Sequence, residues 1–183
     1  LETVLEINST LKSNSKRKFL SVFGGPHPTF AADEMIKKDG VDALCVGEGD
    51  LVFPEFCSKI ERGEDFWKTS NFVVNYEGKV FKNPIGPLVE NLDDLLFPDR
   101  EIMYKADPGL RENGRKMFFG SRGCPYLCTY CFNAEYNKMT KDQGDIMRHR
   151  SPENLIEEEI KVLSQGMSED DAKKNKKNFE EVA

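Results

Sequence analysis

Cys124, Cys128 and Cys131 form a C-x-x-x-C-x-x-C array inside Gly120-Ser-Arg-Gly-Cys-Pro-Tyr-Leu-Cys-Thr-Tyr-Cys-Phe-Asn133. Thiolates are the usual protein ligands of iron–sulfur clusters, and three so close in sequence can hold three corners of an iron–sulfur cube. The fourth iron is then open to a small molecule. An open position marks a catalytic metal site, as in catalytic zinc centres, whereas structural sites are closed by protein ligands. Zinc is a second reading. It would need a fourth ligand, for which His149 is available, because Cys45 and Cys57 lie far upstream in segments that read as strand and helix. Uncommitted thiols are a third. A disulfide framework is disfavoured by the odd count of five cysteines and by the lack of a secretory signal pattern.

The elements that must position this array come from hydrophobic periodicity. Val4, Ile7 and Leu11 repeat at helical spacing, and Phe19 to Phe23 is a short apolar run ending in Gly24-Gly25. A helix is expected over about Ala31 to Lys38, stopped by Gly40, then a buried strand over Val41 to Val46 closed by Gly47-Glu-Gly-Asp50. The next helix, about Leu51 to Arg62, carries Phe53, Cys57 and Ile60 on one stripe. This α-β-α-β-α order predicts a parallel sheet with right-handed crossovers, in which ligands bind beyond the carboxyl ends of the strands. Both Gly-rich segments fall at such ends, where glycine admits close approach to a bulky ligand; a plain tight turn is the alternative.

Phe72 to Tyr76 and Lys79 to Lys82 flank Glu77-Gly78 as a hairpin. Asp93, Asp94 and Asp99 read as capping and turn residues near Pro98. Met117 to Ser121 should be a strand delivering the cysteine loop, followed by a helix starting near Thr129 to Cys131 whose positive end faces the loop. Ser151-Pro152 opens a further helix with Ile156, Ile160 and Leu163 on its buried stripe and Gly166 at its end. Arg148 and Arg150 could hold a carboxylate or phosphate, or pair with Glu157 to Glu159 in a solvated loop. Residues 168–183 are a charged tail, and the chain opens inside an apolar-periodic segment without Met, so a fragment is expected.

The 183 residues suffice for one domain or pieces of two, and a content of 38% hydrophobic and 32% charged residues predicts a soluble protein with no membrane span. A net charge of −6 argues against a nucleic-acid partner. Thiol usage suits a reducing cytoplasm.

The cysteine loop, with Tyr130 in the aromatic slot of C-x-x-x-C-x-aromatic-C, resembles that of radical S-adenosylmethionine (SAM) enzymes. Together with Val22-Phe-Gly-Gly-Pro-His-Pro-Thr-Phe30, Val41-Asp-Ala-Leu-Cys-Val-Gly-Glu-Gly-Asp50, the Asn91 to Arg100 linker and the R-x-R-S-P run, residues 1–165 resemble the cobalamin-dependent branch of that superfamily. The resemblance implies an α/β fold: the C-terminal half of a Rossmann-like doubly wound cobalamin domain (1–63), a linker with a hairpin (64–116), the start of a TIM-like radical SAM barrel (117–167) and a polar tail (168–183). It implies a [4Fe-4S] cluster on Cys124, Cys128 and Cys131, SAM near Tyr130, Phe132 and Asn133, and cobalamin along Gly24, Gly25, Pro26, His27, Thr29, Gly47, Glu48 and Gly49. The D-x-H-x-x-G motif by which some relatives ligate cobalt lies upstream of this Gly-Gly, and His27 reads as loop geometry rather than a cobalt ligand.

The activity so implied is reductive cleavage of SAM to a 5′-deoxyadenosyl radical, then methyl transfer to an unactivated carbon. The alternatives are ring formation or rearrangement of the tetrapyrrole-cyclase type, and a non-catalytic iron–sulfur or zinc module. The implied partners are a small-molecule substrate and a one-electron donor such as flavodoxin or ferredoxin. The truncated chain alone is expected to be inactive.

Overall fold

The computed structural model describes residues 1–113 and 115–164; the expected helix stop at Gly166 and the polar tail lie outside them. The chain divides into two compact units, the first comprising Leu1–Val89 with Asp142–Gly144, and the second Glu90–Lys141 with the residues from Asp145 onward.

The first unit runs α1 (Glu2–Asn14), β1 (Val22–Phe23), α2 (Pro26–Phe30), α3 (Ala32–Met35), β2 (Ala43–Cys45), α4 (Val52–Arg62), a 3-10 turn (Phe66–Lys68), β3 (Phe72–Tyr76) and β4 (Lys79–Lys82). All three residues of β2 are buried, as the apolar run predicts for a strand covered on both faces. One edge of β2 pairs in parallel with β1 (Val22↔Ala43), and the other pairs antiparallel with β3 (Cys45↔Phe72). The sheet is therefore mixed, in the order β1-β2-β3-β4, where the sequence predicted parallel strands. The hairpin supplies the difference. Glu77 (φ 51°) and Gly78 (φ 77°) both adopt the left-handed conformation that a two-residue turn of matching twist requires.

The core under this sheet is aromatic. Phe56 of α4 stacks on Phe72 with ring centroids 4.1 Å apart, and Trp67 stacks on Tyr76 at 4.2 Å. Phe66 meets Phe56, Trp67 and Tyr76 edge-on. Such pairs add to the area they bury because ring edges are positive and faces negative. The stack decides the register of α4: Val52 and Phe56 turn inward, while Phe53 and Ile60 of the expected stripe are exposed.

The expected helix over Ala31 to Lys38 is instead two short ones. α2 begins at Pro26, so His27 sits in a helical turn rather than a loop. On α1 the expected apolar stripe is at least half exposed at Val4, Ile7 and Leu11. The helix is anchored by polar groups. Asn8 donates to the Gly40 carbonyl (2.9 Å) and accepts from the Ser21 hydroxyl (2.5 Å), and Lys12 pairs with Asp42.

The second unit holds a 3-10 turn (Leu92–Asp94), α5 (Glu101–Ala106), α6 (Pro108–Glu112), β5 (Ser121–Arg122), α7 (Asn133–Met139), β6 (Arg148–His149) and α8 (Pro152–Ser164). The strand expected over Met117 to Ser121 is shifted to Ser121–Arg122 and pairs antiparallel with β6. The helix after the cysteine loop starts at Asn133, two residues later than the latest expected start. Among the described residues this unit has no parallel strand pair.

The aromatic core yields one expectation. Phe56→Ala should cost about 3–5 kcal/mol, the range for emptying a buried aromatic site. A urea titration followed by Trp67 fluorescence measures this, and a loss below 1 kcal/mol would mean that the stack does not hold the sheet.

Candidate functional site

The cysteine loop leaves β5 through Gly123, whose φ of +88° is strained for any residue with a side chain. A Cβ there would lie 1.9 Å from the Ile146 carbonyl oxygen, so the backbone of residue 146 itself requires glycine. Beyond it, the Cys124 carbonyl accepts a 2.9 Å hydrogen bond from the side chain of Asn137, which is buried on α7. The Cys131 amide donates to the Cys128 carbonyl at 3.1 Å, closing the turn before α7. The loop is thus fixed where it enters and where it leaves.

Its side chains face outward. Tyr126, Leu127, Phe132 and above all Tyr130, at 92% exposure, present apolar surface to solvent. Asn133 is the first residue of α7 and is partly buried. The three thiols are free and half-buried. Among the described residues no three His, Cys, Asp or Glu side chains converge on a point that could hold a metal, and exposed His149 on β6 does not complete such a set. The donors fit an iron–sulfur cluster in kind and spacing. Convergence of their sulfur atoms is not a feature of this structure.

Upstream of the loop, residues 117–120 are tied to charged side chains that the sequence reading left in solvent. Glu158 on α8 is 2% exposed and accepts from two guanidinium groups, Arg100 (3.0 Å) and Arg150. Arg100 also donates to the Met117 carbonyl (2.8 Å) and stacks on Phe118. The Arg150 amide donates to the Gly120 carbonyl (2.9 Å). Burial pushes the Glu158 carboxyl up, but the hydrogen bonds and charges of Arg150 and Arg100 outweigh it and hold the group below the ordinary range. The expected stripe of α8 is displaced to match, with Glu158 and Val162 at its buried centre. Position 158 lies three residues after Leu155 and four before Val162, a spacing that would have marked it as inward-facing.

The aspartates act as caps and turn anchors. Asp99 accepts from the Glu101 amide (3.0 Å), and Asp94 from the Asn91 side chain (2.9 Å). Asp93 accepts from the Ser151 amide at 2.9 Å, and its hydrogen bonds to Ser151 lower its pKa. Ser151 in turn caps α8 at Asn154 (3.1 Å).

In the first unit a cleft of about 420 Å3 opens at the carboxyl ends of β1 and β2. Gly24, Gly25, Gly47 and Gly49 line it, joined by Val22, Cys45, Asp50 and Phe53, which the sequence reading did not include. Thr29 ties the two glycine segments together: its hydroxyl donates to the Gly25 carbonyl (2.9 Å) and accepts from the Gly47 amide (3.1 Å). Pro26 and His27 are exposed at the start of α2, and Glu48 turns away to accept from the Val89 amide (3.1 Å). Burial, and then the charge of Asp50, push the Cys45 thiol up, so it remains a protonated lining group rather than a nucleophile.

No protein-family model matches the chain. It is 29% identical over 153 residues to an uncharacterised methyltransferase of Pyrococcus horikoshii, covering 81% of this chain and 31% of that protein. It is 22% identical over 147 residues to the anaerobic magnesium-protoporphyrin IX monomethyl ester cyclase of Synechocystis, covering 75% of this chain and 26% of that protein. A stretch of 32 residues, 18% of the chain, is 75% identical to 7% of the trigger factor of Pelagibacter ubique. Among solved structures, the radical SAM methyltransferase TsrM of Kitasatospora setae, with cobalamin and a [4Fe-4S] cluster bound, aligns with a TM-score of 0.60 at 16% identity. That alignment covers 91% of this chain and 32% of TsrM. The cobalamin-dependent SAM radical enzyme OxsB, with aqua-cobalamin and SAM, aligns with a TM-score of 0.60 at 18% identity, over 89% of this chain and 21% of OxsB. Over most of its length the chain is thus similar in sequence to a methyltransferase and to a tetrapyrrole ester cyclase, and in fold to parts of TsrM and OxsB. It spans less than a third of the two curated relatives that it matches over most of its own length. Among the described residues no helix is long and apolar enough to cross a membrane.

Two outcomes are expected at the cysteine loop. Gly123→Ala should shift the backbone at Ile146 and destabilise the second unit, because neither backbone can yield 1 Å or more without breaking β5–β6 pairing; unchanged thermal unfolding would refute that. The lowered pKa of Glu158 means that its stabilisation is complete above the ordinary glutamate range and is lost as pH falls through the depressed folded value. Urea midpoints of the wild type should therefore drop on acidification more steeply than those of Glu158→Gln, and parallel acid profiles would contradict the assignment.

Proposed function

We propose that this chain is part of a cobalamin-dependent radical SAM enzyme whose reaction class is methyl transfer to an unactivated carbon. The observation that carries the proposal is the free C-x-x-x-C-x-x-C loop, fixed at Gly123 and Asn137 and following a unit with a glycine-lined cleft. In this reading residues 1–63 belong to the cofactor domain, 64–116 connect it and lend their hairpin to its sheet, and 117–167 begin the barrel.

Cys124, Cys128 and Cys131 would hold the [4Fe-4S] cluster. The chemistry that the cluster supplies when bound is one-electron reduction of SAM. The chain's own residues prepare for that. Gly123 and Asn137 fix the path of the loop, so only the side chains and the turn between them need to adjust as the thiols gather. Tyr130, Phe132 and Asn133 offer the surface against which SAM would pack, and exposed aromatic rings suit its adenine and exclude water. Gly24, Gly25, Gly47 and Gly49 would take the nucleotide tail of cobalamin, with Thr29 holding the two walls together. A small-molecule substrate and a one-electron carrier of the flavodoxin or ferredoxin kind complete the proposal, which places the protein in the cytoplasm. The likeness to the protoporphyrin ester cyclase favours ring formation as a second reading, distinguished by whether a methyl group from SAM appears in the product.

The test is anaerobic reconstitution with iron and sulfide, followed by electron paramagnetic resonance of the reduced protein with and without SAM. A cubane signal that changes on adding SAM is expected, and Cys128→Ala should abolish it because two thiolates do not hold the cube. Stoichiometric zinc with no cubane signal would sink the proposal.

A further inference from the structure

Sheet pairing in the second unit reaches only Ser121 and Arg122 of the segment that leads into the cysteine loop. Before these, Met117 and Phe119 are largely exposed, so side-chain burial at those positions does not fix the path of residues 117–120. The charged groups behind the segment do. Arg100 reaches the Met117 carbonyl at 2.8 Å and Arg150 the Phe119 carbonyl at a longer 3.4 Å, while the Arg150 amide bonds the Gly120 carbonyl at 2.9 Å. Both guanidinium groups are themselves positioned by the two oxygens of one carboxylate, Glu158.

Asn154, one turn earlier on α8, holds Arg150 through its side-chain oxygen (2.6 Å) and its carbonyl (3.2 Å). A Cβ at Gly120 would lie only 3.0 Å from Cδ1 of Leu155 on the same helix. Two cations facing one anion are poorly balanced in a buried place, and removing one partner of a buried charge pair costs far more than the pair contributes. The arrangement is therefore weak as a source of stability and strong as a geometric constraint. A guanidinium with both a carboxylate and a carbonyl at fixed positions has little freedom left.

We propose that Glu158 is a positioning residue for the cysteine loop: through Arg100 and Arg150 it sets the path of residues 117–120 and so the place from which Cys124 is presented. The inference rests on the cluster reading above for its function, but its geometry can be tested without it. Hydrogen exchange by mass spectrometry on the full chain compares wild type with Glu158→Gln, which keeps shape and loses charge. Exchange should quicken about tenfold or more over residues 117–124 and stay unchanged in the aromatic core of the first unit.

If Glu158→Gln unfolds the second unit altogether, Arg100→Met replaces it, since that variant keeps a balanced Arg150–Glu158 pair while removing the bond to Met117, the second cation on Glu158 and the guanidinium on Phe118. Faster exchange over 117–124, read at the paired amides of Ser121 and Arg122, is then expected. Unchanged exchange over 117–124 in a folded variant overturns the proposal.

Reconstitution with iron and sulfide supplies the second readout. Wild type should show a cubane signal with SAM-dependent change, and Glu158→Gln a weaker one with altered line shape, while Glu159→Gln on the same helix behaves as wild type. Identical signals from wild type and Glu158→Gln overturn the positioning role and leave the cluster reading intact. If no cluster forms in wild type, the cluster reading and the functional part of the proposal fall together, and exchange alone decides whether Glu158 holds the segment.

Discussion

A strand buried on both faces must satisfy its backbone on both edges, because an unpaired amide or carbonyl away from water costs as much as a lost hydrogen bond. β2 is such a strand, and the first unit is arranged around it. β1 meets one edge and β3 the other, and α4 covers a face through Phe56. The carboxyl ends of β1 and β2 then lie side by side, which is what brings Gly24-Gly25 and Gly47 to Gly49 into one cleft. Cleft and sheet are consequences of the same pairing. The closure by Thr29 is local, but it acts only because the parallel register has already set the two glycine segments next to each other.

The second unit solves its positioning problem by other means. Its strands are two residues long and its helices, α8 excepted, are short. Fixed points come from single contacts: Gly123 against Ile146, Asn137 on the Cys124 carbonyl, Asp93 on the Ser151 amide, and Glu158 between two arginines. Polar contacts of this kind contribute modestly to stability after desolvation is counted, yet they are directional where apolar packing is not. A loop that presents three thiols in order, as the proposed function asks, is better served by direction than by bulk.

Legibility in the sequence followed the physics of each element. The hairpin was readable to the residue because a two-residue turn with both positions left-handed leaves few alternatives to Glu77-Gly78. The start of α8 was equally clear from Ser151-Pro152. The register of α4 was not, since Val52/Phe56 and Phe53/Cys57/Ile60 are both apolar stripes: Phe72 meets both, at 4.1 Å for Phe56 and 6.4 Å for Phe53, and Phe56 is the one that also reaches Phe66. The face of α1 follows a related rule: Asn8 is buried and Lys12 half-buried by the polar partners they find across the chain, which periodicity of hydrophobic residues does not record. The antiparallel partner of β2 was hidden because helix–strand alternation upstream says nothing of the strand that returns later.

At the cysteine loop, the spacing marked the three thiols, while the support behind them had to come from the structure. Arg148-x-Arg150 and the acidic run Glu157 to Glu159 were visible as charges, and charges in sequence default to solvent. Glu158 departs from that default because the helix turns it toward Leu155 and Val162, and because two guanidinium groups converge on it. The same reasoning bears on the loop itself. Tyr126, Leu127, Tyr130 and Phe132 together expose apolar surface next to three half-buried thiols. Large contiguous apolar exposure beside polar ligating groups is the usual composition of a surface that another molecule covers. A rigid frame under a loop with that composition is what the proposed cluster and SAM would require.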